Sequence, residues 1–439
     1  MLGCYAKGGL TTNKSVTIMD PVHGFVRVKE PELAVIDTPA FQRLRLIRQL
    51  ASAYLAYPGA NHSRFEHSVG VMHVAGLSCG VLEEKGYISQ DETAMVRLGA
   101  LMHDVGHGPF SHVLDELIHE KGGMSHEDTT QNIVRKSEIA DRLSQHGFSP
   151  RKMSELAVGK HSGKKKFLND IIAGSLSADL MDYLQRDSYY TGAGFGKVTI
   201  ERIIDSFEVY NNRLALQRDA IYTFESLAVA RYEMFKAVYF HKTVRAAESM
   251  ILRSFQLADD QIHISDTSDL QTFLQRTDES VLHEILSLQG KGTADKAKEL
   301  VKRYLARNLV KCVYEKLIHR RERVAEKILS ARTMRDRLRQ ELASKCGVDA
   351  DDIFIDLPTT PAVPYTSERE SFAGLYLISK SGETVRANAI TLQDLPMVEA
   401  ISGYMDVLRI YTTQENRNKV EKEALKLFGE EDYTTKISV

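Results

Sequence analysis

Four potential metal ligands are spread over more than a hundred residues of this sequence, and any fold of the chain has to bring them together. They are His67, the adjacent pair His103-Asp104, and Asp179. Imidazole and carboxylate together suit Mg, Mn, Fe, Ni or Zn, and they leave coordination positions open for water and phosphate oxygens. A His-Asp dipeptide alone arises often by chance. Its setting is more specific, because two further histidines follow within nine residues, so the set predicts a site for one divalent metal ion.

The pair His103-Asp104 is predicted to stand at the end of an apolar helix. A capping-box pattern, Ser89-Gln-Asp-Glu92, precedes the apolar run that leads to the pair. Two glycines follow and should end this helix. Pro109 should then open the next helix, which we expect at about residues 110–120. The chain would thus turn back beside the metal ligands.

A third helix is expected to carry Asp179 in its first turn, with Ser177 as the N-cap. Asp179, Tyr183 and Asp187 recur every four residues, so they share one face of that helix. Such a face could be a polar stripe toward solvent. An aromatic side chain between two carboxylates fits a nucleotide pocket better. His67 lies in another amphipathic helical segment.

The pattern of the sequence changes after Cys346. Residues 227–255 are predicted to form a central core helix that is broken at most once. Strand-like alternation appears only later, at residues 352–358, 374–379, 383–390 and 405–411, before a last helix at 413–428. We therefore predict a mainly α-helical protein with a helical core and helical extension at residues 1–345 and a small C-terminal α+β lobe at residues 346–439.

The composition argues against several functional classes. No apolar run is long enough to cross a membrane, the N-terminus lacks the apolar stretch of a signal peptide, and the four cysteines are scattered. We therefore expect a cytoplasmic protein without a membrane partner. The net charge of −2 predicts no polyanion partner, but residues 302–339 hold thirteen Lys or Arg against four Asp or Glu. That segment could be a solvated amphipathic helix or a surface that binds nucleotides or nucleic acid.

The motifs around the metal ligands resemble those of the HD superfamily of metal-dependent phosphohydrolases, and within it the deoxynucleoside triphosphate triphosphohydrolases (dNTPases). The resemblance extends from about residue 16 to about residue 415. The segments that carry it are Asp20-Pro-Val-His-Gly24, Asp37-Thr-Pro-Ala-Phe-Gln-Arg-Leu-Arg45, Gln49-Leu50, Tyr57-Pro-Gly-Ala60, Ser63-Arg-Phe-Glu-His67 and Ser177-Ala-Asp-Leu-Met-Asp-Tyr-Leu-Gln-Arg-Asp187. It implies an HD-domain helical core, hydrolysis of a dNTP to deoxynucleoside and inorganic triphosphate, and a homo-oligomer, either dimer or tetramer.

The resemblance also implies catalytic roles for a second polar group. His112 would handle a proton, with His107 and His126 beside the α-phosphate. His112 and Asp115 are three residues apart on the predicted helix, so the carboxylate can orient the imidazole. From the sequence alone, a surface histidine would be the default for His126. Arg64 would act at the phosphates.

Substrate contacts are implied for seven residues in total: Gln49, Leu50, Arg64, Tyr183, Asp187, Arg231 and Tyr239. The two arginines would clamp the triphosphate with their guanidinium forks. Asp187 and Gln49 would bind the sugar 3′-hydroxyl. The apolar surface of Leu50 and Tyr239 would disfavour a 2′-hydroxyl, which loses its hydration there without compensation.

Three positions depart from the pattern of the mammalian members. Leu180 replaces a phosphate-binding lysine, Phe235 a histidine and Phe240 a glutamine. These changes affect the expected phosphate contacts and base preference more than the expected reaction.

Six further residues match effector-binding positions of the family. Asp37, Gln42 and Arg45 correspond to a guanine-recognising group. A second patch would consist of Arg218, His241 and Lys242. The effector would be dGTP, GTP or another dNTP, and its binding would drive assembly. A structural salt-bridge network around Arg45 is the alternative.

Two other functions stay open at this point. One is an HD phosphohydrolase that acts on another phosphoester, such as a nucleoside monophosphate. The cationic Arg64 and Arg231 favour a triphosphate instead. The other is a nucleotide-sensing or nucleic-acid-binding regulator that keeps the metal site as a relic, although an intact set of ligands argues against a relic.

Overall fold

The structure is a computed structural model that describes residues 15–319, 332–357, 375–381, 384–390, 397 and 404–429. These residues are mainly α-helical, with three small sheets, which confirms the predicted fold class. None of the described helices combines the length and the apolar character needed to cross a membrane.

The α-helices are, in chain order, α1 (Glu30–Ile36), α2 (Pro39–Gln42), α3 (Arg64–Glu84), α4 (Gln90–Met102), α5 (His112–Glu120), α6 (His126–Lys136), α7 (Glu138–Gln145), α8 (Pro150–Ala157), α9 (Phe167–Ala173), α10 (Ala178–Thr191), α11 (Ile200–Asp205), α12 (Ile221–Met234), α13 (Lys242–Ile262), α14 (Leu270–Gln275), α15 (Asp278–Leu286), α16 (Thr293–Leu305), α17 (Arg332–Cys346) and α18 (Arg417–Phe428). A π-helical turn, Phe235–Tyr239, separates α12 from α13.

The strands are β1 (Ser15–Asp20), β2 (Gly24–Lys29), β3 (Phe207–Tyr210), β4 (Arg213–Gln217), β5 (Lys311–His319), β6 (Ile353–Asp356), β7 (Leu375–Ser381), β8 (Thr384–Ile390) and β9 (Tyr404–Thr412). The first two form an antiparallel hairpin. The second sheet has the order β3-β4-β7-β8, and the third has the order β5-β9-β6. The β4–β7 pair is parallel, and the other pairs are antiparallel.

Several local predictions are confirmed. Ser89 caps α4 in a capping box with Glu92, and Ser177 caps α10 by accepting the Leu180 backbone N–H at 3.2 Å. The predicted core helix is interrupted once, between Tyr239 and Lys242. The C-terminal strands and final helix lie at the predicted positions. The division into domains at residue 345 stays a prediction, although two sheets join strands from both sides of it.

The helix expected from Pro109 begins later than predicted. The first residue of α5 is His112, and Phe110 and Ser111 have left-handed backbone conformations with φ of 55° and 45°. Tertiary contacts explain this difference. The Phe110 ring is buried in the core, and the backbone N–H of Phe110 donates to the carboxylate of Asp278 at 2.8 Å. Such strained residues persist only where their surroundings fix them.

The basic segment 302–339 is not one amphipathic helix. Residues 311–319 form β5, which pairs with β9 inside the third sheet. The arginine-rich residues 320–331 lie outside the described residues. The part that the structure describes therefore contradicts the helical interpretation and leaves the binding interpretation as a prediction.

Asp278 holds two segments of the polypeptide together. Its side chain is completely buried at the start of α15. It accepts the N–H of Phe110 and, at 3.0 Å, the N–H of Arg48. Burial raises the pKa of this carboxyl to about 6, from an ordinary value of 3.8.

This raised pKa predicts a pH dependence of stability. The folded state binds the Asp278 proton more tightly than the unfolded state, so the contribution of this group is complete below its unfolded pKa and is lost as pH rises through the folded pKa. Between about pH 4 and about pH 7 the wild type should therefore lose stability relative to Asp278→Asn, which does not titrate. Urea unfolding of both proteins across this range measures the difference, and a pH-independent difference would contradict the prediction.

Candidate metal centre

The four predicted ligands meet at one point. His67 Nε2 lies 3.1 Å from Asp179 Oδ1 and 3.2 Å from His103 Nε2, and His103 Nε2 lies 3.2 Å from Asp104 Oδ1. These residues come from α3, the end of α4 and the first turn of α10. The side chains of His67, His103 and Asp104 are at most 10% exposed. The donor atoms of these three residues are close enough to share one ion.

The hydrogen bonds behind the imidazoles fit a metal site. His67 Nδ1 donates to Asp182 Oδ2 at 2.7 Å, and His103 Nδ1 donates to the carbonyl oxygen of Ala100 at 2.8 Å. With both Nδ1 atoms used in this way, both Nε2 lone pairs face the same point. Outer partners of this kind fix the tautomer and the ring orientation of metal-binding histidines. The donor set therefore suits a divalent cation.

The charges around His67 are consistent with this arrangement. Burial alone would lower the pKa of His67, but hydrogen bonds to Asp179 and Asp182 outweigh burial and raise its pKa to about 10. Without a cation the imidazole would therefore hold a second proton, on Nε2. A bound cation would take the place of that proton, because metal ligation requires the neutral imidazole.

Asp182 was missed in the sequence, and so was its second partner, His23. Asp182 is fully buried and accepts hydrogen bonds from His67, from His23 Nε2 at 2.6 Å and from Arg186 at 2.9 Å. Arg186 also pairs with Asp20 at 2.8 Å. His23 belongs to the Asp-Pro-Val-His-Gly motif, and that motif was the available signal for this contact.

Arg64 directs positive charge into the site. Its Nη1 donates to Asp104 Oδ2, and its Nε donates to Ser111 Oγ at 2.7 Å. Its Nη2 is buried and has no hydrogen-bond partner among the described residues. Burial would raise the pKa of Asp104, but the guanidinium of Arg64 and the nearby histidines hold it well below its usual range. A buried donor without an acceptor beside a metal site suits an anionic ligand.

Three histidines surround Asp115 next to the metal ligands. Asp115 Oδ2 lies 3.2 Å from His126, 3.5 Å from His107 and 3.6 Å from His112. The rings of His107 and His126 are stacked, with centroids 4.2 Å apart. Burial lowers the pKa of His107 to about 3, whereas the nearby carboxylate of Asp115 outweighs burial and raises the pKa of His126. The His112 side chain is 78% exposed, so it can reach a molecule in the cavity.

All residues predicted to bind metal, to bind substrate or to act in catalysis line a single cavity of about 1080 Å³. The cavity contains Asp179, Tyr183 and Asp187, so the predicted common face of α10 is confirmed as a cavity wall rather than a solvent stripe. His126 also lies there, instead of at an unrelated surface.

The far wall of the cavity is built around Asp187. His62 Nε2 lies 2.8 Å from Asp187 Oδ1, and the Tyr239 hydroxyl donates to Asp187 Oδ2 at 2.7 Å. Tyr239 is the last residue of the π-helical turn, a kind of irregularity that often marks functional sites. His62 lies behind Asp187 and was not singled out in the sequence.

The three departures from the pattern of the mammalian members occupy two environments. Phe235 and Phe240 line the cavity and form an edge-to-face pair. Leu180 is 2% exposed and packs in the main hydrophobic core. The apolar substitutions therefore change the cavity wall at Phe235 and Phe240, while Leu180 contributes to packing.

The six predicted effector residues are absent from the described lining of this cavity. They are Asp37, Gln42, Arg45, Arg218, His241 and Lys242. Arg45 donates to Gln42 Oε1 at 2.8 Å, and its guanidinium lies over the Phe65 ring at 3.4 Å. The ring of His241 contacts Tyr57. Their effector role stays a prediction.

Comparisons with known proteins agree with this geometry. The HD domain model matches residues 64–187, which include all four predicted metal ligands. The model of the HD-associated region matches residues 198–438, more than half of the chain. This chain belongs to the HD-domain family. HD domains bind divalent metals, and the His67, His103 and Asp104 cluster is where this one could hold such an ion.

Several curated relatives of this HD-domain protein carry a functional name. The deoxynucleoside triphosphate triphosphohydrolase SAMHD1 homolog of Dictyostelium discoideum is 34% identical over 69% of this chain and 61% of its own length. The deoxynucleoside triphosphate triphosphohydrolase SAMHD1 of Homo sapiens is 30% identical over 68% of this chain and 55% of its own length. The chain thus spans less than two thirds of these relatives.

A solved structure is also similar to this HD-domain protein. The crystal structure of a hypothetical protein from Aquifex aeolicus is 28% identical and superposes with a TM-score of 0.74. The match covers 94% of this chain and 100% of that protein. The similarity therefore includes the C-terminal sheets as well as the HD domain.

The role of Asp182 behind His67 can be tested by metal retention. Asp182→Asn keeps the shape of the side chain but loses the charge that fixes the imidazole, so metal affinity should fall about 10–100-fold. Competition with a chelator, followed by metal analysis, measures the change. Asp141→Asn, at an exposed position of α7, is the matched control. Equal metal retention in both variants would show that Asp182 does not support the ligand.

Proposed function

We propose that this protein hydrolyses dNTPs to deoxynucleoside and inorganic triphosphate at the metal centre. The observation that carries the proposal is the shared cavity. The metal ligands, Arg64 and Arg231, and Asp187 with Tyr239 line one space, about the size of sites that bury small ligands. Relatives named as deoxynucleoside triphosphate triphosphohydrolases support the same reaction.

A divalent cation held by His67, His103, Asp104 and Asp179 would lower the pKa of water and offset negative charge at phosphorus. Arg64 would bind a phosphate oxygen through its unpaired Nη2. Because Asp104 and Ser111 hold the other nitrogens of this guanidinium, it needs little rearrangement as charge builds in the transition state.

The reaction joins a water oxygen to the α-phosphorus and breaks the bond from that phosphorus to the 5′-oxygen. The 5′-oxygen leaves with a proton. His112 would move this proton; its exposure to the cavity and the carboxylate of Asp115 beside it support this role. His107 and His126, which also lie near Asp115, would stand beside the α-phosphate.

The sugar would lie toward Asp187, two helical turns from Asp179 on α10. Asp187 and Gln49 would hydrogen-bond the 3′-hydroxyl. Leu50 and Tyr239 would press against the 2′ carbon, and Tyr183 and Arg231 would complete the wall along the phosphates. Phe235 and Phe240 would make that wall more apolar than in the mammalian relatives.

Nucleotide control and homo-oligomer assembly belong to the same proposal. The segment that carries Asp37, Gln42 and Arg45 touches the catalytic machinery at two points. Arg45 stacks on Phe65, the residue after Arg64, and Arg43 donates to the carbonyl oxygen of His107 at 2.7 Å. An effector such as dGTP, GTP or another dNTP at this segment could therefore alter the cavity.

An HD phosphohydrolase acting on another phosphoester is the second candidate. Its support is the metal centre alone, which does not distinguish one phosphoester from another. A product assay separates the two. Each dNTP, alone and in pairwise mixtures, is incubated with Mg or Mn, and the products are resolved by anion exchange. Inorganic triphosphate as the phosphate product supports the proposal, and pyrophosphate or monophosphate release contradicts it.

Replacement of His103 and Asp104 by alanine should abolish triphosphate release, because two of the four ligands are removed. Circular dichroism should show that the helical fold is retained. His283→Leu, at an exposed position of α15, should keep wild-type activity. Full activity in the double variant would exclude the proposed mechanism.

A further inference from the structure

The Asp187 carboxylate has two hydrogen-bond partners, Tyr239 and His62, and His62 has no assigned role. Tyr239 belongs to the cavity wall, but His62 lies behind that wall with its side chain fully buried. Its Nε2 is 2.8 Å from Asp187 Oδ1. A buried histidine that points at a carboxylate in a binding cavity can control the direction of that carboxylate.

The surroundings determine which nitrogen of His62 carries the proton. Its Nδ1 is buried and has no hydrogen-bond partner among the described residues. A proton on Nδ1 would therefore be a buried donor without an acceptor, which is costly. The favoured tautomer has its proton on Nε2 and donates to Asp187.

His62 is itself fixed by a loop that crosses α10. The imidazole is stacked on the Tyr190 ring, with centroids 4.5 Å apart and an interplanar angle of 16°. Gly59 passes so close to the carbonyl of Tyr190 that a Cβ would overlap that oxygen. At the other end of the loop, the Tyr57 hydroxyl donates to the carbonyl oxygen of Ala237.

This loop therefore contacts both elements that carry the Asp187–Tyr239 pair of the cavity wall. It joins the end of α10, which carries Asp187, to the π-helical turn, which carries Tyr239. Both Asp187 oxygens are engaged, so the carboxylate has one orientation. Without His62 the carboxylate could rotate toward other donors.

We propose that His62 is a positioning residue that makes the site select a sugar with a 3′-hydroxyl. The proposal rests on the proposed function, in which Asp187 accepts a hydrogen bond from that hydroxyl. His62 does not touch the nucleotide. It orients the Asp187 carboxylate so that a remaining lone pair faces the 3′-hydroxyl. A substrate without that hydroxyl leaves this lone pair without a donor.

The test compares a dNTP with the 2′,3′-dideoxy triphosphate of the same base. The wild type should prefer the dNTP. His62→Leu should lower kcat/KM for the dNTP about tenfold or more and change that for the dideoxy substrate less than about threefold, so the preference for the dNTP falls. His62→Gln, whose amide N–H reaches to about the place of Nε2, should retain most of the preference. His283→Leu is the control.

A merely structural role predicts a different pattern. If His62→Leu lowers kcat/KM for both substrates by the same factor, so that the wild-type preference is kept, the inference is wrong. Thermal unfolding shows whether the variant is folded. If His62→Leu is not, His62→Asn replaces it with the same expectations, since its shorter side chain does not reach Asp187. A wild type that releases triphosphate from no dNTP overturns the proposed function and this inference together, whereas an active wild type with an unaffected preference in the variants overturns the inference alone.

Discussion

The metal centre depends on the hydrogen bonds to the buried carboxylate of Asp182. It accepts hydrogen bonds from His67 on α3 and from His23 beyond β1, and it pairs with Arg186 on its own helix. Three segments that are far apart in the sequence therefore converge on one charge. A buried charge is stable only when it is fully partnered. The packing of α3, α10 and the N-terminal hairpin consequently fixes the orientation of the metal ligand His67.

The region after the HD domain contributes to the site through buried charged side chains rather than through metal ligands. Asp278 fixes the backbone of Arg48 and Phe110, and those segments continue into Gln49 and Ser111. Arg409 on β9 is fully buried and donates to the carbonyl oxygen of Phe240 at 2.6 Å, just after the π-helical turn. The C-terminal sheet thus helps to set the cavity wall that holds Tyr239.

The sequence was sufficient wherever the signal was local. The caps at Ser89 and Ser177 and the interrupted core helix follow from short patterns, and the structure agrees with them. The four predicted metal ligands needed motifs from several segments, and the structure brings their side chains together. Asp182 and His62 could not be predicted, because their partners lie 115 and 125 residues away. The start of α5 was displaced for the same reason: a contact from Phe110 to Asp278, 168 residues away, overrides the local preference of Pro109.

The number of residues in the π-helical turn at residues 235–239 determines where Tyr239 points in the cavity. A π turn contains an extra residue compared with the α-helical turn that it interrupts. Loss of one residue here would let α12 continue as a regular helix. Because each residue of an α-helix turns by about 100°, Tyr239 would then swing away from Asp187. A single insertion or deletion, rather than a change of side chain, is therefore a simple route by which related proteins can acquire or lose this wall.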